Sequence, residues 1–161
     1  KQFRWREAIV ILSETSKAIK EINPKAEITC CVHATINTYY VCELRGYDNW
    51  DLVASCPYFD VFSTTIISWD LPEKFFREIT RRTVDVAKKY GKQSERWIMG
   101  YNKRPDDWSR IDKVVDMYEE MGVDRLATWT YRGGYGTSVA APDALQLWEN
   151  IGRNYKRVLK K

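Results

Sequence analysis

The sequence predicts an α/β fold built from parallel βα units, and three observations carry the prediction. Amphipathic helical segments alternate with short apolar runs rich in β-branched residues. The runs begin near Glu27, Asp60, Glu95 and Asp124, spaced by roughly 30 to 35 residues, the length a strand and its crossover helix require. Each run ends in polar or aromatic residues: His33, then Trp69 and Asp70, then Tyr101 and Asn102, then Trp129, Tyr131 and Arg132.

The elements follow in order. Residues 4–22 read as a helix, with Ala8, Ile9, Leu12, Thr15, Ile19 and Ile22 on one face. Asn23-Pro24 ends it, because the residue before proline is pushed out of the helical region. Residues 27–34 read as a buried strand, and 35–49 as a polar, tyrosine-rich loop. Tyr39, Tyr40, Glu43, Arg45, Tyr47, Asp48 and Trp50 give that loop the look of a lid. Asn49 is suited to cap a short helix over 50–55. Residues 60–69 form the clearest strand. A helix over 73–90 follows Pro72, with Glu73 early, Lys88 and Lys89 late, and Gly91 as its stop. Residues 95–102 read as a strand, 105–121 as a helix stopped by Gly122, and 124–132 as the last strand. After Gly133, Gly134 and Gly136, a final helix runs from Pro142 to the C-terminus. Leu145, Trp148, Ile151, Tyr155 and Val158 form its apolar side.

Composition narrows the class. The chain is 44% hydrophobic and 30% charged, too apolar for a disordered tail and too charged for a membrane bundle. It contains no run of about 18 apolar residues, so no transmembrane helix and no membrane partner are expected. The charged start, Lys1, Arg4, Arg6 and Glu7, does not suit a signal peptide. The net charge of +4, 26 basic minus 22 acidic residues, is dispersed and argues for no nucleic-acid partner. The 161 residues suit one domain. The start lacks an initiator Met, which suggests a piece cut from something longer. Cys30, Cys31, Cys42 and Cys56 form no CxxC pair, and His33 is the lone histidine. No metal site and no cofactor are therefore expected, and the cysteines read as buried free thiols in a reducing, cytoplasmic setting.

Four βα units suit either a small open sheet or half of a (β/α)8 barrel. The half-barrel is favoured. The chain starts and ends with a helix, the strand ends carry the polar groups that line the active face of a barrel, and no glycine-rich phosphate loop follows the first strand. Four strands alone leave two unpaired edges and an exposed apolar face. A second chain or a second copy is therefore expected to complete the barrel, and a monodisperse monomer by light scattering would count against this.

On the segments FSTTIISWD, WIMGYN and ATWTYRGG, the chain from Glu27 onward resembles strands five to eight of a glycosidase-type TIM barrel. The resemblance implies a carbohydrate-active enzyme, hydrolytic in character, working with two carboxyl groups. In barrels similar to α-galactosidases an Asp after strand six is the acid/base. The resemblance gives that position to Asp70 and puts its partner outside the chain. Asp70 also sits where it would cap the next helix. The nucleophile Glu that other retaining glycosidases carry after strand seven has no counterpart in Gly100-Tyr101-Asn102. Under this reading His33 and Asn102 are polar supports, Trp69, Tyr101, Trp129 and Tyr131 are a sugar-stacking wall, and Arg132 binds an anionic group. Two other readings stand beside it. One is a barrel isomerase, lyase or phosphate-handling enzyme using His33, Arg132 and the glycines at 133, 134 and 136. The other is a non-catalytic sugar-binding or assembly half-barrel.

Overall fold

The structure is a computed structural model and describes residues 2–32, 49–65, 72–100, 107–129 and 143–158. The elements are α1 (Gln2–Ile22), β1 (Thr29–Val32), α2 (Trp50–Ala54), β2 (Val61–Thr64), α3 (Glu73–Lys89), β3 (Gln93–Met99), α4 (Trp108–Glu120), β4 (Arg125–Trp129) and α5 (Ala144–Val158). Strands and helices alternate, and the sheet order β1-β2-β3-β4 follows the sequence. Each strand therefore lies beside the next, as right-handed βα crossovers place them. This is the expected α/β class of parallel βα units.

Contacts divide the chain into two compact units, Lys1–Glu95 and Arg96–Lys161. In the first, β1 pairs in parallel with β2, Thr29 beside Val61 through Val32 beside Thr64. Thr64 and Thr83 hydroxyls meet at 2.8 Å, so the even-numbered residues of β2 face α3. Trp50, Phe59, Phe62 and Ile79 fill the core on that side, with Ile9 and Leu12 of α1 packed against it. The Asn49 side chain caps α2 by accepting from Leu52 N–H at 3.0 Å, as its residue type predicts. Gly91 closes α3 at φ +64, a conformation that costs glycine nothing.

Several expectations need correction. β1 is not a buried strand: Thr29 and Cys31 are exposed and only Val32 is buried, because β1 has a neighbour on one side alone in the strand order. Cys31 is accordingly not a buried thiol, whereas Cys56 is. Trp50 is fully buried and belongs to the core, not to a lid. On α1 the buried face runs through Ile9, Leu12 and Ser16, leaving Ile11, Ile19 and Ile22 exposed. The N-cap of α3 is Pro72, and Asp70, expected at the start of that helix, lies outside the described residues.

A charged clamp ties the start of the sheet to α1. Lys20 Nζ donates to both oxygens of Asp60, at 2.9 and 2.7 Å, and to the Ala26 carbonyl at 2.8 Å. The Ile28 N–H donates to the same carboxylate at 2.9 Å. Burial alone would raise the Asp60 pKa. The hydrogen bonds from Lys20 and Ile28, with the charges of Lys20 and Lys92, outweigh it and hold the carboxyl below its ordinary value. A depressed folded pKa stabilises the fold above the unfolded value, and that contribution is lost as pH falls through the folded one. Asp60→Asn is expected to lower stability at neutral pH by at most about 1 kcal/mol, since the pair is partly exposed. It should also flatten the fall in urea midpoint between roughly pH 5 and pH 2, read from unfolding curves across that range.

In the second unit Ile98 of β3, Ile111, Val115 and Tyr118 of α4, and Leu147 and Ile151 of α5 are all buried. Asn154 donates to Asp112 at 2.7 Å, and Arg157 pairs with Asp116, joining α5 to α4. Asp143 receives the Gln146 N–H at 3.0 Å, which starts α5 two residues later than its proline suggests. The buried face of α5 is Leu147, Asn150, Ile151 and Asn154. Leu145 and Trp148, expected on it, are exposed. α4 is described from Trp108, with Asp107 as its N-cap, and residues 105 and 106 lie outside the described residues.

Candidate functional site

Two tryptophans meet on the side of the second unit's strands that faces away from its helices. The even-numbered strand residues point to the helices. Arg96 reaches the Tyr118 hydroxyl of α4 at 3.4 Å, and Thr128 meets the Tyr155 hydroxyl of α5 at 2.9 Å. Side chains alternate along a strand, so Trp97 and Trp129 share the opposite face. Their ring centroids lie 6.4 Å apart at 49°, a tilted arrangement favoured by aromatic quadrupoles. The Gly100 N–H donates to the Trp129 carbonyl at 2.6 Å, which joins the two strands at this end. Trp129 stays 59% exposed while Trp97 is half-buried, so one indole supports the other and offers its own face to solvent.

A buried polar group holds this part of β3 from behind. Arg96 is fully buried with its guanidinium 5.3 Å from the Tyr118 ring. The Tyr118 hydroxyl donates to the Trp97 carbonyl at 3.3 Å. Burial pushes the Tyr118 phenol up, against the opposing charge and hydrogen bond of Arg96. The phenol therefore stays protonated as a donor near neutral pH. The strand segment that carries Trp97 is thus anchored on the face opposite the indole.

Of the residues singled out in the sequence, Trp129 is exposed at the end of β4. His33, Trp69, Asp70, Tyr101, Asn102, Tyr131 and Arg132 lie outside the described residues, as do the glycines at 133, 134 and 136. Trp97, in the middle of β3, packs its ring against that of Trp129. The signal was available in the two-residue period from Trp97 through Met99 towards Tyr101, but the register of β4 beside β3 was not. Glu95 is buried near the start of β3, at the end of the strand where the sequence put it.

Among the described residues no group of three metal-ligating side chains occurs, and no helix is long and apolar enough to cross a membrane. In the first unit, burial, and after it the neighbouring Cys31 and Cys56, push the Cys30 thiol up to about 11. Cys30 is therefore a protonated, poorly nucleophilic thiol at neutral pH.

An exposed indole braced by a second, on the open side of parallel βα units, is an aromatic platform on an α/β fold. No family model matches the chain, and no curated protein matches it in sequence. Among solved structures, one similar chain is a Bacteroides thetaiotaomicron protein provisionally assigned as an alpha-L-fucosidase. The likeness has a TM-score of 0.66 at 14% identity and covers 96% of this chain and 52% of that one. The chain thus spans about half the length of the structure it matches, and at this identity the likeness is one of fold.

Proposed function

We propose that the chain supplies the C-terminal half of a carbohydrate-active (β/α)8 barrel of the glycoside hydrolase type, with Trp129, braced by Trp97, as the surface on which a sugar ring stacks. The observation that carries the reading is the tryptophan pair. The apolar face of a pyranose matches an indole in shape and leaves the sugar hydroxyls free for polar neighbours. The fold likeness to a chain provisionally assigned as a fucosidase supports the same class and makes an α-L-fucoside the first saccharide to try. In this reading Asp70 is the general acid that protonates the leaving glycosidic oxygen, and the second carboxyl group comes from outside these residues. His33 and Asn102 orient polar groups, Trp69, Tyr101 and Tyr131 extend the wall, and Arg132 takes an anionic substituent. The barrel is completed by further βα units.

The test is a titration of the protein with fucose and with short oligosaccharides, followed by calorimetry and tryptophan fluorescence. Trp129→Ala is expected to weaken binding by about 1–3 kcal/mol, the order of the apolar area that an indole and a sugar face remove from water, without shifting the thermal midpoint. Unchanged affinity in that variant contradicts the reading.

A further inference from the structure

The indole pair of the second unit rests on a buried polar relay that an apolar core does not require. Trp97 and Trp129 meet at 6.4 Å between ring centroids. Trp129 ends β4 and is exposed, so the core does not fix its ring. Behind β3, Arg96 and Tyr118 are both fully buried. The Arg96 guanidinium donates to the Tyr118 hydroxyl at 3.4 Å, and that hydroxyl donates to the Trp97 carbonyl at 3.3 Å. The guanidinium also stands 5.3 Å from the centre of the Tyr118 ring. Burying a hydroxyl and a guanidinium costs free energy that phenylalanine and an aliphatic side chain at the same places would not. α4 already buries Ile111 and Val115, so filling the core does not call for polar groups at 96 and 118.

We infer that Tyr118, held by Arg96, is a positioning residue for the aromatic platform: its hydroxyl fixes the Trp97 peptide, Trp97 fixes the Trp129 ring, and the stacking face is set before a ligand arrives. Each link is geometric. A guanidinium only donates, so the hydroxyl that accepts from it turns its proton to the carbonyl. Burial raises the Tyr118 pKa, which keeps that proton on the phenol. The peptide unit is planar, so holding the Trp97 carbonyl also holds the Cα from which the indole projects. The indole leaves the strand on the side opposite the relay, and its tilted contact with Trp129 leaves that ring fewer orientations. A platform already in its binding geometry spares the ligand the cost of ordering it. The ligand side of this inference rests on the sugar-stacking reading; the geometry of the pair does not.

Two indoles this close couple their ultraviolet transitions, so the circular dichroism difference between the parent chain and Trp129→Ala isolates the pair. The same difference, taken in the Tyr118→Phe background, should lose most of its amplitude while thermal unfolding stays cooperative. Tyr118→Phe keeps the ring and removes the hydroxyl, which leaves the buried guanidinium short of an acceptor. Arg96→Met combined with Tyr118→Phe is therefore measured beside it and should give the same loss. Titrated with fucose and short oligosaccharides, both variants should bind about 2- to 10-fold more weakly, the ordering cost of a freed side chain. Neither should weaken binding further once Trp129→Ala is present. A folded variant with the signal of the pair intact overturns the inference. So does a parent without that signal, a loss of folding in both variants, or a lost signal with unchanged affinity. A parent that shows the signal but binds none of the saccharides removes the sugar-stacking reading. There the dichroism alone decides, a reduced amplitude in the variants supporting the inference and an intact one overturning it.

Discussion

Trp50→Ala is expected to destabilise the protein by about 3–5 kcal/mol, the range for truncating a buried aromatic residue. Trp50 is fully buried at the start of α2. Its ring lies 5.8 Å from that of Phe62, and the Arg82 guanidinium stands 4.2 Å from its ring centre. Removing the indole leaves a void between α2, α3 and β2 and strips Arg82 of its aromatic partner. Urea unfolding should show a lower midpoint with little change in slope, because the surface exposed on unfolding is nearly the same. Trp50→Phe should recover part of the loss. A variant as stable as the parent would instead put Trp50 in a peripheral loop.

Asp70→Asn in the completed barrel is expected to lower glycoside turnover by about 100- to 10,000-fold, the contribution of a positioned general acid. Asn keeps the size of the side chain and removes the transferable proton, so the thermal midpoint should hold. The alkaline limb of the pH–rate profile, which reports loss of the acid's proton, should disappear with it. Substrates with good leaving groups should be least affected, since they need protonation least. Since Pro72 is the N-cap of α3, a drop in stability would return Asp70 to a structural role at the start of that helix. Full turnover in the variant would remove it from the chemistry.

The architecture was legible because its signals are local. β-Branched runs, the Asn49 cap, and the glycines at 91 and 122, both at positive φ, mark where elements start and stop whatever the partners. The second strand is described over 61–64 within an expected 60–69, with residues 66–69 outside those described, and the third starts at Gln93, two residues before its apolar run. Helix faces were less legible. α1 has apolar residues on two adjoining strips, and a periodicity count merges them. Only packing distinguishes Leu12, against the core, from Ile11, in solvent. α5 misled in the other direction, because its buried face includes Asn150 and Asn154. Asn154 is accommodated there by its bonds to Asp112 and to the Asn150 carbonyl at 3.1 Å, a long-range satisfaction that composition does not announce.

The candidate site divides in the same way. The strand-end position of Trp129 follows from sequence order alone. That Trp97 stands beside it depends on how β4 registers on β3, a tertiary fact. Trp50 shows the converse: it follows a tyrosine-rich loop in sequence, and its neighbours suggested an open surface. It opens α2 directly after the Asn49 cap and is fully buried, since its apolar surface is worth more in the core than in a loop.

The most direct test of the account is a solved complex of the protein with an oligosaccharide that it binds. The account predicts a pyranose ring lying flat on the Trp129 indole at van der Waals distance, about 3.5–4 Å, with Trp97 behind the indole and the sugar hydroxyls turned towards the ends of the neighbouring strands. A saccharide seated elsewhere with Trp129 bare would contradict it.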